Sequence, residues 1–215
     1  MIRSGLFVSF EGCEGSGKTT TVSNLFEKIN DLIKNKKIDY SQIIKTREPG
    51  GINNKLAEEL RRLVLSNNYD IPPLTEAFLF AAARSAHVIQ TIKPVLDNNG
   101  IVLCDRFVDS SIVYQQYVKK LGNLVEVIND IATNKLEPDI IFYFKIDPEI
   151  GLSRISSSNR ETNRFDKQDL SFHYEVSSFY NLHLSNKQNV IIVDASLSQE
   201  EIVNFCLSHI LNFIK

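Results

Sequence analysis

The sequence predicts an α/β fold in which helices cover both faces of a mainly parallel sheet. Short apolar runs alternate along the chain with segments whose apolar residues recur every three or four positions, a pattern typical of strands alternating with helices. A glycine-rich turn joins the first strand to the first helix. Because the chain has 215 residues and neither repeats nor low-complexity tracts, we expect a single domain over residues 1–215.

The elements of the N-terminal half follow in order. Residues 6–10 predict a buried strand, and residues 19–33 a helix, because apolar side chains recur there at helical spacing. Residues 43–44 begin a second strand, which ends in a turn-rich segment at 47–51. Helical patterns follow around residues 56–64 and 74–96. Pro94 lies inside the longer pattern and should bend or end that helix, since proline has no amide hydrogen.

The C-terminal half continues the alternation. Residues 101–104 predict a strand, and the apolar stripe of Leu124, Val127, Ile128 and Ile131 predicts a helix. Residues 140–146 and 190–193 predict two more strands, and an amphipathic helix around 202–210 ends the chain. Ligands of such folds bind where the carboxyl ends of the strands meet, so functional residues are expected directly after the strands.

Composition limits the possible partners and location. Hydrophobic residues make up 43% of the chain and charged residues 23%, and the formal net charge is -2, so nothing indicates nucleic acid or a membrane surface as partner. Cys13, Cys104 and Cys206 have no metal-like spacing and favour a reducing compartment. The first apolar run is too short for a signal peptide or a membrane span. We expect a cytoplasmic protein without a nucleic-acid or membrane partner.

A complete phosphate-binding motif, G-x-x-x-x-G-K-T, lies between the first strand and the first helix. Glycines let backbone amides curl around an anion, and the helix N-terminus adds a favourable dipole. The lysine supplies a positive charge for the β and γ phosphates, and the threonine offers a hydroxyl to Mg²⁺. The motif consists of Gly12, Cys13, Glu14, Gly15, Ser16, Gly17, Lys18 and Thr19. We expect it to form an exposed phosphate cradle.

Three classes of protein use this motif: nucleotide-dependent switches, assembly ATPases and small-molecule kinases. A GTP-dependent switch needs D-x-x-G after a strand and N-K-x-D for guanine. Residues 97–100 have the first set of letters but precede their strand, and Glu137 replaces the required Asp after Asn134 and Lys135. An assembly ATPase would carry a pair of acidic residues after a buried strand. Here the third predicted strand ends in one acidic and one basic residue, Asp105 and Arg106. The carboxylate can hold Mg²⁺ or orient the loop, and the guanidinium can clamp a phosphate; a plain salt bridge at the strand end is the alternative.

Several blocks of sequence together resemble the thymidylate kinase family in its bacterial form, over nearly the whole chain. They include Thr-Arg-Glu-Pro-Gly-Gly at 46–51 and Asp-Arg-Phe-Val-Asp-Ser-Ser at 105–111, where Phe107 replaces the more usual Tyr. The remaining blocks are residues 10–12, 76–84, 114–115, 138–139, 154–166 and 193–195.

This resemblance implies a five-stranded parallel sheet flanked by helices, a mobile lid at about residues 154–168 and a homodimer. It also implies transfer of the γ-phosphoryl group from Mg-ATP to dTMP, with Mg²⁺ as cofactor and ATP and dTMP as partners. Two alternatives stay open: another nucleoside monophosphate kinase on the same scaffold, and a P-loop ATPase or switch without a small-molecule acceptor.

The resemblance also assigns residues to the acceptor. Phe80 resembles the residue that stacks on thymine, and Arg84, one helical turn on, resembles the donor to a thymine carbonyl. Arg106 resembles the clamp on the dTMP phosphate. The other implied acceptor residues are Ser111 and Gln115 at the base, Tyr114 beside the sugar, Glu14 near the 3′-hydroxyl, and Glu48 and Arg61 near the phosphate and base.

The implied ATP site comprises residues 12–19 with Thr20 and Arg154, and the loop at 194–196 lies beside adenine. Thr19 and Asp105 are the implied metal ligands. Some family members carry a catalytic Arg in the phosphate loop, where this chain has Gly15. The bacterial form takes that Arg from the lid, and Arg164 is the best candidate, with Lys18 and Arg106 as the other catalytic residues; Arg160 is a second lid arginine.

Overall fold

The computed structural model describes residues 4–157 and 164–214. Within them, five strands form one parallel sheet in the order β2-β3-β1-β4-β5. The strands are Leu6–Gly12 (β1), Gln42–Arg47 (β2), Gly100–Asp105 (β3), Ile140–Lys145 (β4) and Val190–Asp194 (β5). The expected α/β fold with a five-stranded parallel sheet is confirmed.

Helices connect successive strands, as parallel pairing requires. They are Lys18–Lys34 (α1), Lys55–Leu65 (α2), Pro73–His87 (α3), Lys93–Asp97 (α4), Val108–Ser111 (α5), Leu124–Thr133 (α6), Pro148–Ser156 (α7), Leu170–Leu184 (α8) and Gln199–Phe213 (α9). Two π-helical segments, Val88–Ile92 and Ile112–Val118, continue α3 and α5. In the part of the chain that the structure describes, no helix is long and apolar enough to cross a membrane.

Both faces of the sheet are covered, because successive strand residues point to opposite sides. On one face, Leu6, Val8 and Phe10 of β1 pack in a core with α1 and α9. On the other face, Phe7 packs against residues of the π-helical segment after α3, of α4 and of β3. Burial on both sides explains why β1 and β3 are continuous apolar runs with little alternation.

The long helical pattern at 74–96 does not end at Pro94. The helix changes to π geometry at Val88–Ile92 and resumes as α4, with Pro94 in the first turn. An amide is not needed for helix bonding in a first turn, so proline is tolerated there and α4 runs to Asp97.

The apolar stripe predicted for α6 lies on the wrong face of the helix. Val127 is 54% exposed and Ile131 78% exposed, and Leu124 is also exposed. The buried side is formed by Val125, Asn129, Ala132 and Thr133. The helix itself is therefore confirmed, but its most apolar face points away from the core.

Two helices have no counterpart among the expected elements. Helix α7 begins with Pro148 after Asp147, whose side chain accepts from the amide of Glu149. Helix α8 begins after Asp169, whose side chain accepts from the amide of Phe172. Both caps are standard helix starts, and α8 carries Tyr180, which accepts from Arg106 in the wall of the cavity described next.

Candidate active site

A cavity of about 800 Å³ opens at the carboxyl edge of the sheet. Its wall is formed by the phosphate loop, the ends of β2 and β3, α3, the segment after α5, and the loop after β5. Sixteen of the predicted site residues line it: Glu14, Gly15, Gly17, Lys18, Thr19, Thr20, Glu48, Arg61, Phe80, Arg84, Asp105, Arg106, Ser111, Tyr114, Gln115 and Arg154. Gly12, Cys13, Ser16 and Arg164 are not part of the wall.

The phosphate loop is closed tightly on itself, and glycine is needed at its turning points. Gly15 has φ +72, and a Cβ added there would meet the carbonyl oxygen of Gly151 at 2.0 Å. Gly17 has φ +89 and stands directly before α1. Such backbone conformations are open to glycine and strained for other residues, so the loop shape depends on Gly17, which the motif specifies, and on Gly15, which stands at one of the motif's variable positions.

Lys18 is buried, not exposed on a cradle as expected: only 5% of it is accessible. Its Nζ donates to the carbonyl oxygens of Gly12 at 3.0 Å and Cys13 at 2.7 Å and to the hydroxyl of Ser16 at 2.9 Å. The loop thus folds around its own lysine. Burial, and then the nearby Arg106, lower the pKa of Lys18 to about 8.

The two predicted metal ligands lie together. The hydroxyl of Thr19, in the first turn of α1, donates to the carboxylate of Asp105 at the end of β3. A hydroxyl and a carboxylate are hard oxygen donors, and Mg²⁺ takes one or two such protein ligands together with substrate phosphates. The donor set therefore fits Mg²⁺.

Arg106 stands at the centre of the cavity and is held from three sides. Its backbone has φ +70, which is unusual for a residue other than glycine. The guanidinium donates to Tyr180 at 2.8 Å, to Ser110 at 3.2 Å and to the carboxylate of Glu14 at 3.0 Å. This network fixes a cation opposite the phosphate loop.

Glu14 ties the phosphate loop to Arg106, which follows β3, and to Tyr114. Its carboxylate accepts from Arg106 and, at 2.7 Å, from the hydroxyl of Tyr114. Burial alone would raise the pKa of Glu14, but Arg106 and Tyr114 outweigh burial and lower the pKa below its ordinary value. Glu14 is therefore a carboxylate, as a contact to a sugar hydroxyl would require.

Arg84 of α3 joins several of the residues that were predicted to read the base. Arg84 is 3% exposed, and its guanidinium donates to Glu48 at 2.6 Å, to Ser111 at 3.0 Å, to the carbonyl oxygen of Phe107 at 3.2 Å and to Asn129. These four bonds leave one of the five guanidinium N–H donors for a ligand. Glu48 acts by holding Arg84, with its second oxygen bonded to His87.

Three aromatic side chains cluster in one part of the cavity wall, each inclined to the next. Phe165, which follows the predicted lid arginine, lies 6.4 Å from Phe80 and 5.5 Å from Tyr114, measured between ring centroids. All three line the cavity. A planar base fits such a wall.

The predicted arginines differ in their positions. Arg61 donates to the carbonyl oxygen of Pro49 at 2.6 Å, in the turn after β2. Arg154 donates to the carbonyl oxygen of Ala195 at 2.9 Å and so lies beside the loop after β5. Arg164 lies away from the phosphate loop: it donates to Glu76 at 2.6 Å and to the carbonyl oxygen of Val64 at 2.9 Å. Arg160 and part of the predicted lid lie outside the described residues.

Four polar residues of the site were not predicted. Glu11, fully buried behind Arg106, accepts from the amide of Phe107 at 2.7 Å and from Ser110 at 2.6 Å; burial, and then Asp109, raise its pKa to about 7. Tyr180 and His173 come from α8, and Glu76 from α3. The buried residues of α8 recur every three or four positions, a pattern that indicates a helix, whereas nothing in the local sequence marks Glu11.

Comparisons with known proteins show the family of this chain. A sequence model of the thymidylate kinase family matches residues 10–206. A thymidylate kinase of Staphylococcus haemolyticus (strain JCSC1435) is 43% identical over 212 residues, covering 97% of this chain and 98% of that protein. A thymidylate kinase of Ligilactobacillus salivarius (strain UCC118) is 40% identical over 214 residues, covering 98% and 99%. The chain therefore belongs to the thymidylate kinase family.

Proposed function

We propose that this chain transfers the γ-phosphoryl group of ATP to dTMP, giving ADP and dTDP. One observation carries the proposal: the phosphate loop and the cluster of Phe80, Arg84 and Gln115 open into the same cavity, with Arg106 between them. A switch or an assembly ATPase has no use for a second, base-sized site facing its phosphate loop. The family relationship supports the same reaction.

The acceptor base is proposed to stack on Phe80, with its polar edge toward Arg84 and Gln115. The free N–H of Arg84 suits the 4-carbonyl of thymine, where cytosine carries an amino group that also donates. Ser111 acts through Arg84, which it binds. Tyr114, hydrogen-bonded to Glu14, is proposed to lie beside the deoxyribose and leave no room for a 2′-hydroxyl.

Binding of the two phosphate groups is proposed to exchange internal hydrogen bonds for bonds to substrate. Lys18 would release loop carbonyl oxygens and bind the β and γ phosphates of ATP. Arg106 would turn one N–H pair from Glu14 to the dTMP phosphate, and Glu14 would then accept from the 3′-hydroxyl. Both cations are already held in place, so little ordering accompanies binding.

Thr19 and Asp105 are proposed to hold Mg²⁺ together with the ATP phosphates. When bound, Mg²⁺ neutralises charge on the β and γ phosphates. The hydrogen bond between the two side chains keeps both oxygens at one place in the ligand-free site. Removing either oxygen should therefore weaken Mg-ATP binding more than dTMP binding.

A lid arginine is proposed to meet the charge that develops on the transferring phosphoryl group. Gly15 leaves the phosphate loop without a guanidinium. Arg164 stays our candidate, and it can act only after its ion pair with Glu76 opens, so its catalytic use requires movement of the segment that carries it. Arg154, beside Ala195, is proposed to flank adenine.

We also propose a homodimer built on α2, α3 and α6. These neighbouring helices pack against one another and expose large apolar side chains on their outer faces. Contiguous exposed apolar surface is typical of protein interfaces. The exposed residues are Leu56, Leu63, Leu74, Phe78, Leu124, Val127 and Ile131.

A cytoplasmic location is proposed on the basis of the reaction and the thiols. ATP and dTMP are metabolites of that compartment. Cys13, Cys104 and Cys206 are all buried and unpaired by disulfides, which suits a reducing environment.

A coupled assay of ADP release tests the reaction. The purified protein is incubated with Mg-ATP and dTMP, dUMP, dCMP, UMP or no acceptor. We expect ADP release to depend on an acceptor and to be fastest with dTMP. Equal release without an acceptor would indicate an ATPase, and a preference for another monophosphate would indicate a different kinase on this scaffold.

A further inference from the structure

The amide of Gln115 can face the acceptor base in two ways. Its carbonyl and NH₂ ends have the same shape but opposite hydrogen-bonding character. A carbonyl oxygen toward the base accepts the N3–H of thymine, whereas an NH₂ group would donate to the bare N3 of cytosine. Whatever fixes the orientation of this amide therefore decides which base is read.

Glu76 fixes the NH₂ end of Gln115. Oε1 of Glu76 accepts from Nε2 of Gln115 at 2.8 Å, and both side chains are almost fully buried. A carboxylate only accepts hydrogen bonds, so the NH₂ end must point at Glu76. The side-chain oxygen Oε1 of Gln115 has no hydrogen-bond partner among residues 4–157 and 164–214, and Gln115 lines the cavity.

Glu76 is itself held by a second partner. Its Oε2 accepts from Nη2 of Arg164 at 2.6 Å, and Nε of Arg164 donates to the carbonyl oxygen of Val64 at the end of α2. Each carboxylate oxygen thus has its own donor. A buried carboxylate with both oxygens engaged keeps its position and its character as an acceptor.

We propose that Glu76 is a specificity-determining positioning residue: by binding the NH₂ end of Gln115, it presents the carbonyl oxygen of Gln115 to the acceptor base and so selects thymine over cytosine. Glu76 acts through Gln115. The inference rests on the proposed function, in which Gln115 contacts the base of dTMP.

The substitution Glu76→Gln tests this mechanism with little change in size. Arg164 only donates, so it should draw the carbonyl oxygen of the new amide and leave its NH₂ group facing Gln115. Gln115 must then turn over, and its own NH₂ group faces the cavity. We expect the ratio of the dissociation constants of dCMP and dTMP, measured without ATP so that Arg164 still holds residue 76, to fall by roughly 10²-fold, since the site now offers a donor to N3.

Two further variants make the test specific. Glu126→Gln is the matched control, because Glu126 binds the neighbouring Gln116 at 2.9 Å in the same manner, and Gln116 is not part of the cavity wall; it should keep the wild-type ratio. The double variant Glu76→Gln, Gln115→Glu exchanges the two side chains and so keeps one amide and one carboxylate. In it, the amide at position 76 donates to one carboxylate oxygen at position 115, and the other oxygen faces the base as an acceptor. We expect it to restore preference for dTMP.

The outcomes separate this inference from the proposed function. If the wild-type protein does not favour dTMP over dCMP, the proposed reading of the base is wrong. If the wild type favours dTMP and folded Glu76→Gln keeps the same ratio, only the role of Glu76 is overturned. Should Glu76→Gln fail to give a cooperative thermal melt, the exchanged pair decides: loss of dTMP preference in that folded variant overturns the inference.

Discussion

The guanidinium of Arg106 donates to the carboxylate of Glu14 at 3.0 Å and thereby joins the end of β3 to the phosphate loop. Both residues are largely buried, and each is proposed to contact dTMP. The two groups satisfy each other. Binding of the acceptor phosphate must compete with this pair, so the site is formed in advance without leaving a buried charge unpaired.

Arg106→Lys should raise the KM for dTMP by roughly tenfold to a hundredfold, because an ammonium group cannot hold Tyr180, Ser110 and a phosphate with one planar fork. The KM for ATP should change much less. Steady-state kinetics with each substrate varied in turn measures both values. Arg62→Lys, at an exposed arginine of α2, is the control. An unchanged KM for dTMP would exclude Arg106 as the phosphate clamp.

The binding of ATP should weaken as pH rises above about 8, the pKa to which burial and Arg106 lower Lys18. Below that pH, Lys18 is charged and attracts phosphate; above it, binding must take up a proton. The KM for ATP should increase by up to about tenfold per pH unit above 8. The kcat at saturating ATP should stay constant to a higher pH than the KM, because the negative phosphates of bound ATP favour the protonated form of Lys18. A KM that stays flat from pH 7 to 9.5 would contradict this assignment.

Arg164→Ala should lower kcat by roughly 10³ or more, the effect of losing an arginine that meets transition-state charge. The KM for dTMP should change less, since Phe80, Arg84 and Arg106 remain. Arg154→Ala and Arg160→Ala are the comparison variants. If Arg164→Ala turns over at the wild-type rate while one of these is inactive, the catalytic cation is elsewhere in the lid, and Arg164 serves the acceptor pocket through Glu76.

Ile131→Glu should convert the proposed dimer to a monomer, because it places a charge at the most exposed apolar position of α6. The side chain contributes little to this subunit's core, so thermal stability of the monomer should change little. Sedimentation velocity over a range of protein concentrations measures the state. Phe213→Glu, at the exposed end of α9, should leave the dimer intact. A wild-type protein that sediments as a monomer would refute the interface.

Much of the fold could be predicted because its signals are local. Apolar runs and the glycine pattern of the phosphate loop place β1, α1 and β3 without knowledge of their neighbours. The stripe on α6 shows where this reasoning fails. An apolar face looks the same in the sequence whether it packs on its own subunit or on another surface, and α6 exposes Val127 and Ile131 while it buries Asn129.

The sequence predicted mainly those residues of the site whose own side chains line the cavity. Lys18, Arg84, Arg106 and Gln115 stand in recognisable blocks, and all of them line the cavity. Glu76 and Glu11 act on other side chains across the fold, over 39 and 99 residues of sequence in the contacts to Gln115 and Ser110. No spacing rule connects such pairs. The burial of Lys18 was equally unpredictable, because it follows from how the loop closes around its ammonium group.

A single competition experiment tests the central claim most directly. The protein is given [γ-³²P]ATP with equal concentrations of dTMP and dCMP in one tube, and the labelled products are separated. The ratio of labelled dTDP to dCDP then equals the ratio of the two kcat/KM values. We predict that nearly all label enters dTDP, with a preference of up to about 10⁴. Comparable label in both diphosphates, or label released mainly as inorganic phosphate, would contradict a dTMP site built from Phe80, Arg84 and Gln115.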